Sequence, residues 1–196
     1  MTPKRIFILD GHPAETSLSR TFAEVYATRA RAAGHEVRMA HLHDMVFDMD
    51  FGQGGYDNWK PLEPVLDGVL SDIEWANHVV LAVPMWWGGL PAKLKGLIDR
   101  TFLPGRTFDT RVLRMGMPTP MLTGRSARVI VTSDTPGWFL RLVHRNAIFH
   151  QLGGHILGFV GIRPTRFTYF SGASDPRPRA VDGWIAKVGQ LGAVAA

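Results

Sequence analysis

Short apolar runs alternate along this chain with longer segments in which apolar residues recur every three or four positions. The short runs predict strands at Arg5–Leu9, Glu36–Leu42, Asn77–Val83, Ala127–Thr132 and Ile162–Phe170. The longer segments predict helices over Ser17–Ala33, Pro64–Ala76, Leu90–Phe102, Gly137–Gly158 and Arg179–Val194. Strands and helices in alternation predict an α/β fold, a doubly wound parallel sheet with helices on both faces.

Two segments fall outside this alternation. Phe47–Lys60 is a loop rich in Gly and Asp, and Pro104–Gly124 is predicted to be a long irregular excursion. The excursion and the two residues before it are too apolar for a solvated loop. They include Phe102, Leu103, Phe108, Val112, Leu113, Met115, Met117 and Met121. The excursion either contacts a partner or ligand, or folds back over its own core. No repeat or linker divides the chain, so one domain over residues 1–196 is expected.

Composition narrows the classes of protein that fit. The chain has 196 residues, of which 45% are hydrophobic and 20% charged, as in an ordinary globular protein. No apolar run approaches the roughly 20 residues of a membrane span, and Met1–Arg5 lacks a signal-peptide pattern, so a cytoplasmic protein without membrane insertion is expected. The absence of cysteine excludes disulfides, thiol catalysis and Cys-ligated metals.

The formal net charge of +5 does not by itself indicate a nucleic-acid partner. Basic residues are scattered from Lys4 to Lys187 without a run of five or more, so no nucleic-acid partner is expected. A basic field suits small anionic ligands equally well, including cofactors that carry phosphate.

The most informative motif follows the third predicted strand. Val79–Val83 is apolar and β-branched, as in a central strand, and Pro84-Met-Trp-Trp-Gly88 comes directly after it. Open α/β sheets bind ligands outside the carboxyl ends of their strands. Two adjacent tryptophans beside glycines there predict a site for a flat ring, although both tryptophans could instead be core residues.

A second motif follows the first strand and leads into the first helix. His12, Thr16, Ser17 and Ser19 supply polar donors at a helix N-terminus, where backbone N–H groups and the helix dipole attract phosphate. A helix cap by Thr16 or Ser17 alone is the structural alternative. The chain has neither a Gly-x-Gly-x-x-Gly turn after this strand nor a Walker loop.

The histidines do not predict a metal site. His41 and His43 share one face of a predicted strand, but no third ligand has suitable spacing, so no metal is expected. A Ser-His-Asp hydrolase is also not indicated, because the Gly-x-Ser-x-Gly elbow is missing.

Four segments together carry a family resemblance. They are Asp10-Gly-His-Pro with Thr16-Ser-Leu-Ser, the run from Pro84 to Phe102, Val131-Thr-Ser, and Gly158-Phe-Val-Gly-Ile. With them the sequence resembles the flavodoxin-like NAD(P)H:quinone oxidoreductases, a group that includes mammalian quinone reductases, bacterial drug-activity modulators and potassium-efflux ancillary proteins. The resemblance implies a three-layer αβα sandwich whose five-stranded parallel sheet has the order 2-1-3-4-5, with flavin at the switch between strands 1 and 3.

Site residues carried over from the resemblance fall into three groups. The phosphate of the flavin is expected at His12, Thr16, Ser17, Leu18 and Ser19, and its ring along Pro84, Met85, Trp86, Trp87 and Gly88. Its pyrimidine edge is expected near Thr132, Ser133 and Asp134. The short chain and compact phosphate turn favour FMN, whereas the mammalian relatives suggest FAD.

The chain departs from the resembled family at two places. Where the family commonly has Thr-Thr-Gly-Gly, this chain has Thr132-Ser-Asp-Thr135, and the lost glycines change which N–H groups can face the ring. Mammalian members use a Tyr and a His shortly afterwards, but no Tyr lies between Thr132 and Ile162. With a short gap His144 matches the catalytic His, and the alternative is a surface position on a helix.

The resemblance implies a flavin-dependent oxidoreductase with ping-pong kinetics. NAD(P)H would reduce the flavin and leave, and a quinone or a nitro or azo aromatic acceptor would then take its place. Basic residues between Arg100 and Arg128 would attract the donor, and a homodimer would place the excursion and the helix after Pro136 beside the flavin. The alternative is a flavin- or nucleotide-binding regulatory subunit of a partner protein with little turnover, whereas an electron-carrying flavodoxin is disfavoured because the chain is basic.

Overall fold

A computed structural model describes residues 2–52 and 59–195. The strands, named β1 to β7 in chain order, are Arg5–Asp10, Glu36–His41, His78–Pro84, Phe108–Arg114, Met117–Pro120, Ser126–Ser133 and Thr165–Ser171. The α-helices α1 to α6 are Leu18–Ala32, Pro64–Trp75, Ala92–Thr101, Gly137–Leu142, Ala147–His150 and Pro178–Val194, and a π-helix follows α5 at Gln151–Ile156. None of the helices in these ranges is both long and apolar enough to cross a bilayer.

One five-stranded sheet has the order β2-β1-β3-β6-β7, and every pairing in it is parallel. This confirms the predicted α/β sandwich with strand order 2-1-3-4-5. Side chains of the central strand alternate between two cores: Val79, Leu81 and Val83 join one cluster, and Val80 and Ala82 join the other. The sheet therefore has an apolar core on each face.

The strand order reverses between β1 and β3. From β1 the chain crosses to β2 on one side, and it later returns to β3 on the other side of β1. The connections therefore leave the carboxyl ends of these two strands in opposite directions, which opens a crevice between them. The segments His12–Ser19 and Pro84–Gly88 both begin at this crevice.

The excursion at Pro104–Gly124 is not irregular, as predicted, but contains an antiparallel hairpin of β4 and β5. Met115 and Gly116 form its two-residue turn with φ of 51° and 79°, the positive values that a type I′ turn requires. The second strand could not be recognised from the sequence because it contains Pro118 and Pro120. Proline has no N–H to donate and is therefore rare in strands that are hydrogen-bonded on both sides. Phe108 at the base is buried, but the tip is exposed, so only the base folds back onto the core.

The single helix predicted over Gly137–Gly158 is wrong. α4 ends at Leu142, and Arg145 and Asn146 then adopt positive φ, which no continuous helix contains. Neither residue is Gly or Pro, so the apolar pattern carried no sign of the break. The last strand also begins at Thr165 rather than Ile162, because Pro164 directly before it has no N–H to donate to the sheet.

The loop predicted at Phe47–Lys60 is attached to α3 at its described ends, while residues 53–58 lie outside the described ranges. The guanidinium of Arg100 is 1% exposed and donates to the carboxylate of Glu63 at 2.8 Å and to the carbonyl of Pro61 at 2.9 Å. It also donates to the carbonyl of Asp48. Arg100 therefore stabilises both ends of the loop rather than a ligand.

A buried histidine lies at the amino end of β3. His78 is 2% exposed, with Nε2 at 3.2 Å from the hydroxyl of Tyr26 and Nδ1 at 2.8 Å from the hydroxyl of Ser126. Burial lowers the pKa of His78 to about 3, and positive charge from its neighbours adds to this effect: Lys4, Arg128, His35 and Arg166. The imidazole is therefore neutral in the folded protein at neutral pH.

This neutral histidine predicts a loss of stability in acid. The pKa of His78 is about 3 in the folded state and near 6.5 in the unfolded state. Because the unfolded chain takes up the proton first, the contribution of His78 to the unfolding free energy is fully present above pH 6.5 and is lost as the pH falls toward 3. Between pH 6.5 and 4.5, wild type should lose about 2 kcal/mol more unfolding free energy than His78→Gln. Urea denaturation at both pH values measures this difference. The exposed control variant His150→Gln should lose as much unfolding free energy as wild type. An equal loss in wild type and His78→Gln would contradict the prediction.

Candidate functional site

A cavity of about 200 Å³ opens at the carboxyl ends of β1, β3 and β6. It is lined by His12, Thr16, Ser17, Leu18, Ser19, Pro84, Met85, Trp86, Thr132, Ser133, Asp134, Ala173 and Ser174. All of the predicted cofactor positions except Trp87 and Gly88 are in this set. The tertiary structure therefore brings four segments that are far apart in sequence around one crevice.

The first turn of α1 forms one end of the cavity. Ser17 is its N-cap and accepts a hydrogen bond from the N–H of Arg20 at 3.0 Å, so the capping interpretation is correct for this hydroxyl. The first turn contains no acidic residue, and the backbone N–H groups at a helix start have no partner within the helix. Together with the helix dipole they favour an anion at this end.

Ser19 gives this end an unusual donor. Its side chain lines the cavity and is only 1% exposed, and its hydroxyl has no hydrogen-bond partner among the described residues. A buried hydroxyl without a partner costs free energy, so it is seldom found unless something else satisfies it. A phosphate oxygen at the start of α1 would do so.

His12 forms the wall next to this end. Its Nδ1 accepts from the N–H of Ala14 at 3.0 Å, and burial lowers the pKa of His12 although the nearby carboxylate of Asp10 opposes this. The imidazole is therefore neutral at pH 7 with its proton on Nε2, which can donate. The ring meets Trp86 edge-on, with centroids 5.4 Å apart.

Asp10 orients the start of the loop between β1 and α1. Its side chain is fully buried, Oδ1 accepts from the N–H of His12 at 3.1 Å, and Nδ1 of His41 lies 3.3 Å from Oδ2. Burial raises the pKa of Asp10. Asp10 does not line the cavity, so it orients the loop rather than a ligand.

The two tryptophans have different surroundings. Two backbone hydrogen bonds between Trp86 and Gly89, of 3.0 and 2.9 Å, close a tight turn, and Trp87 and Gly88 at its tip have φ of 52° and 75°. Trp86 lines the cavity, but Trp87 points into solvent and is fully exposed. Trp87 and Gly88 do not line this cavity, because the turn carries both away from it, and their predicted contact with the flavin stays a prediction.

The far wall follows β6. Asp134 is held by Ser174, whose N–H and hydroxyl donate to its two carboxylate oxygens at 2.8 and 2.5 Å. These hydrogen bonds lower the pKa of Asp134, so the carboxylate is ionised at neutral pH. The sequence reasoning missed Ala173 and Ser174. The available signal was their position just after the last strand, whose carboxyl end lies beside that of β6.

His144 does not reach the cavity. It lies in the exposed turn after α4, where its ring meets Phe139 edge-on at 5.0 Å. Its predicted catalytic role stays a prediction, and this position gives it no support. A tyrosine does meet the loop after β6, because the hydroxyl of Tyr169 donates to the carbonyl of Thr135 at 2.5 Å, but Tyr169 is not among the lining residues.

The basic residues between Arg100 and Arg128 are largely engaged elsewhere. Arg100 pairs with Glu63, Arg106 bonds to the carboxylates of Asp67 and Glu74, and Arg111 bonds to that of Asp109. None of the basic residues in this range lines the cavity. The structure therefore does not support the expectation that they attract the donor.

The two histidines considered as metal ligands are also separated. His43 lies beyond the end of β2, where its Nδ1 is 3.1 Å from the carbonyl of Pro13, while His41 faces Asp10. Within residues 2–52 and 59–195, no group of three or more His, Asp or Glu side chains is placed to hold a metal ion.

Curated relatives resemble parts of this chain. The chain is 28% identical over 160 residues to a ribosyldihydronicotinamide dehydrogenase-like protein of Penicillium crustosum, covering 68% of this chain and 58% of that protein. It is 34% identical over 101 residues to an FMN-dependent NADH:quinone oxidoreductase of Cereibacter sphaeroides, covering 52% of this chain and 48% of that protein. The chain thus spans about half the length of the curated relatives it matches.

Solved structures share the fold along the whole chain. The NAD(P)H:quinone oxidoreductase of Methanothermobacter marburgensis superposes with a TM-score of 0.82 at 20% identity, covering 100% of both chains. An FMN-dependent NADH-azoreductase of Bacillus anthracis, solved with FMN, superposes with a TM-score of 0.74 at 18% identity, covering 97% of this chain and 98% of that one. A family profile described as a flavodoxin-like fold matches residues 4–191. The chain therefore belongs to the flavodoxin-like fold family.

Proposed function

We propose that this protein is a flavin-dependent NAD(P)H:acceptor oxidoreductase that reduces quinones or related aromatic compounds. The observation that carries the proposal is one crevice lined by both Ser19 and the indole of Trp86. The buried hydroxyl of Ser19 lies at a helix start and has no hydrogen-bond partner among the described residues. The names of the curated relatives agree with it. A single domain over residues 1–196 and a cytoplasmic location belong to the same proposal.

The lining residues fit FMN. The first turn of α1 and the hydroxyl of Ser19 supply donors for one phosphate, and Nε2 of His12 supplies a neutral donor beside them. Pro84, Met85 and Trp86 would lie along the ring, and Thr132, Ser133 and Asp134 would face its pyrimidine edge. We propose FMN rather than FAD, because relatives are named FMN-dependent and the described cradle serves one phosphate group.

The bound flavin would supply hydride acceptance and hydride donation, so NAD(P)H, a proton and a quinone become NAD(P)⁺ and a hydroquinone. Pro84, Met85 and Trp86 would hold the ring at the crevice and orient it for hydride transfer. Donor and acceptor would use the same open side in turn, which is why ping-pong kinetics are expected.

An absorbance spectrum of the purified protein with added FMN, followed by NAD(P)H oxidation with a quinone, tests the proposal. Flavin binding together with steady turnover is the expected result. Bound flavin without turnover would favour a regulatory subunit instead. A protein that binds neither FMN nor FAD would overturn the flavin proposal altogether.

We further propose a two-fold symmetric homodimer. The cavity of about 200 Å³ is smaller than pockets that enclose a cofactor-sized ligand, so the ring needs a second wall. Exposed apolar side chains suitable for such a wall lie on the hairpin and α4, and on the turn beside the cavity: Val112, Leu113, Met115, Met117, Trp138, Leu142 and Trp87. Exposed apolar side chains in this number indicate an interaction surface, and a two-fold homodimer is the commonest closed assembly.

Charge on the hairpin should disrupt this dimer. Leu113→Glu combined with Met115→Glu should convert the protein to a monomer in light scattering at micromolar concentration, because two carboxylates would be buried in an apolar contact. Val46→Glu alters another exposed apolar residue, outside the hairpin and α4, and should leave the dimer intact. A wild-type holoprotein that is monomeric with full turnover would overturn the shared site.

A further inference from the structure

We propose that the carboxylate of Asp134 lowers the reduction potential of the cofactor held in this cavity and so makes it a stronger reductant. The inference rests on the proposed function, because it requires a flavin in the crevice. It assigns to a residue of this chain a role in setting the driving force of the reaction, separate from binding.

The geometry keeps this charge beside the ring. Asp134 lies directly after β6, the neighbour of β3 in the sheet, and it lines the same cavity as Trp86. Ser174 donates to both carboxylate oxygens, at 2.8 Å from its N–H and 2.5 Å from its hydroxyl. The carboxylate is exposed, and these two hydrogen bonds hold it at the cavity wall.

Nothing among the described lining residues compensates this charge. The set contains no Lys, Arg or Glu, and Asp134 is its one carboxylate. His12, the one lining residue that could become cationic, is neutral at pH 7 because burial lowers its pKa. The ring would therefore meet a net negative wall on this side.

A fixed negative charge affects the two redox states differently. Two-electron reduction places additional negative charge on the ring system, and a nearby carboxylate repels this charge. The phosphate charge at the start of α1 is present in both states and does not discriminate between them. Reduced cofactor should therefore bind less tightly than oxidised cofactor, which is equivalent to a lower potential.

The midpoint potential of bound FMN tests this in the full-length holoprotein. Asp134→Asn keeps an oxygen that can accept from the N–H of Ser174 but removes the charge, and it should strengthen binding of reduced relative to oxidised FMN about tenfold. A tenfold change corresponds to a rise of about 30 mV for a two-electron couple. Asp134→Glu restores the charge and should return the potential toward the wild-type value.

Asp175→Asn is the matched control, because Asp175 is the next carboxylate along the loop, is exposed and does not line the cavity. It should leave the potential unchanged. Where Asp134→Asn does not retain FMN, Asp134→Ser takes its place in the same comparison.

The outcomes separate the two proposals. Wild-type protein that binds no flavin overturns the proposed function. Bound FMN whose potential is the same in wild type and Asp134→Asn, or shifts equally in Asp175→Asn, overturns the role of Asp134 and leaves the flavin site standing.

Discussion

Replacing Ser19 by alanine should raise the dissociation constant of FMN by roughly tenfold to a hundredfold without destabilising the apoprotein. A hydrogen bond to a charged group contributes about 1.5 to 3 kcal/mol, and about 1.4 kcal/mol is a factor of ten in affinity. The hydroxyl of Ser19 is buried and has no hydrogen-bond partner among the described residues, so removing it breaks no hydrogen bond in the free protein. The unfolding free energy should be unchanged or slightly higher.

Fluorescence titration of the apoprotein with FMN and with riboflavin measures the effect. Riboflavin lacks the phosphate, so its affinity should be the same in wild type and Ser19→Ala. Ser71→Ala, on α2 and outside the cavity, should bind both ligands as wild type does. An equal loss of affinity for FMN and riboflavin would show that Ser19 does not contact the phosphate.

Replacing Gly192 by alanine should lower the unfolding free energy by about 2 kcal/mol, a fall in melting temperature of roughly 4 to 8 °C. An added Cβ would lie 2.5 Å from the carbonyl oxygen and 3.0 Å from the Cα of Tyr26, so α6 would have to move away from α1. Backbone atoms cannot yield as a flexible side chain can. This contact positions α1, whose first turn forms the phosphate end of the crevice.

Gly183→Ala is the matched control within the same helix. Its added Cβ meets nothing within 4 Å, and alanine favours helix over glycine, so this variant should gain about 0.5 to 1 kcal/mol. Thermal denaturation of both variants gives the comparison. Equal effects would show that helix propensity, and not the close approach of α1 and α6, governs Gly192.

Much of the sheet could be predicted from the sequence because the pattern of buried positions is local. Residues of β1 and β3 alternate between two cores, and the parallel pairing needs both faces covered, so these strands appear as short apolar runs. The hairpin and the broken helix could not be predicted in this way. Their geometry depends on positive φ at Met115, Arg145 and Asn146, and Met and Arg rarely adopt it.

The candidate site shows the same division. The segments at His12–Ser19 and Pro84–Trp86 carry chemistry in consecutive residues, so their place at strand ends could be inferred from the sequence alone. Ser174 carries no motif, and its importance comes from the sheet order that sets the end of β7 beside the end of β6.

The sequence by itself determined the five strands of the parallel sheet and the strand ends at which polar and aromatic residues gather, because apolar spacing and turn residues act within a few positions. Only the tertiary structure decided that Trp86 faces the crevice while Trp87 faces solvent, since a turn of four residues directs adjacent side chains apart. It alone left the hydroxyl of Ser19 without a hydrogen-bond partner among the described residues and placed Ser174 where it donates to Asp134. Both follow from the packing of segments distant in sequence, whose contacts no local pattern encodes.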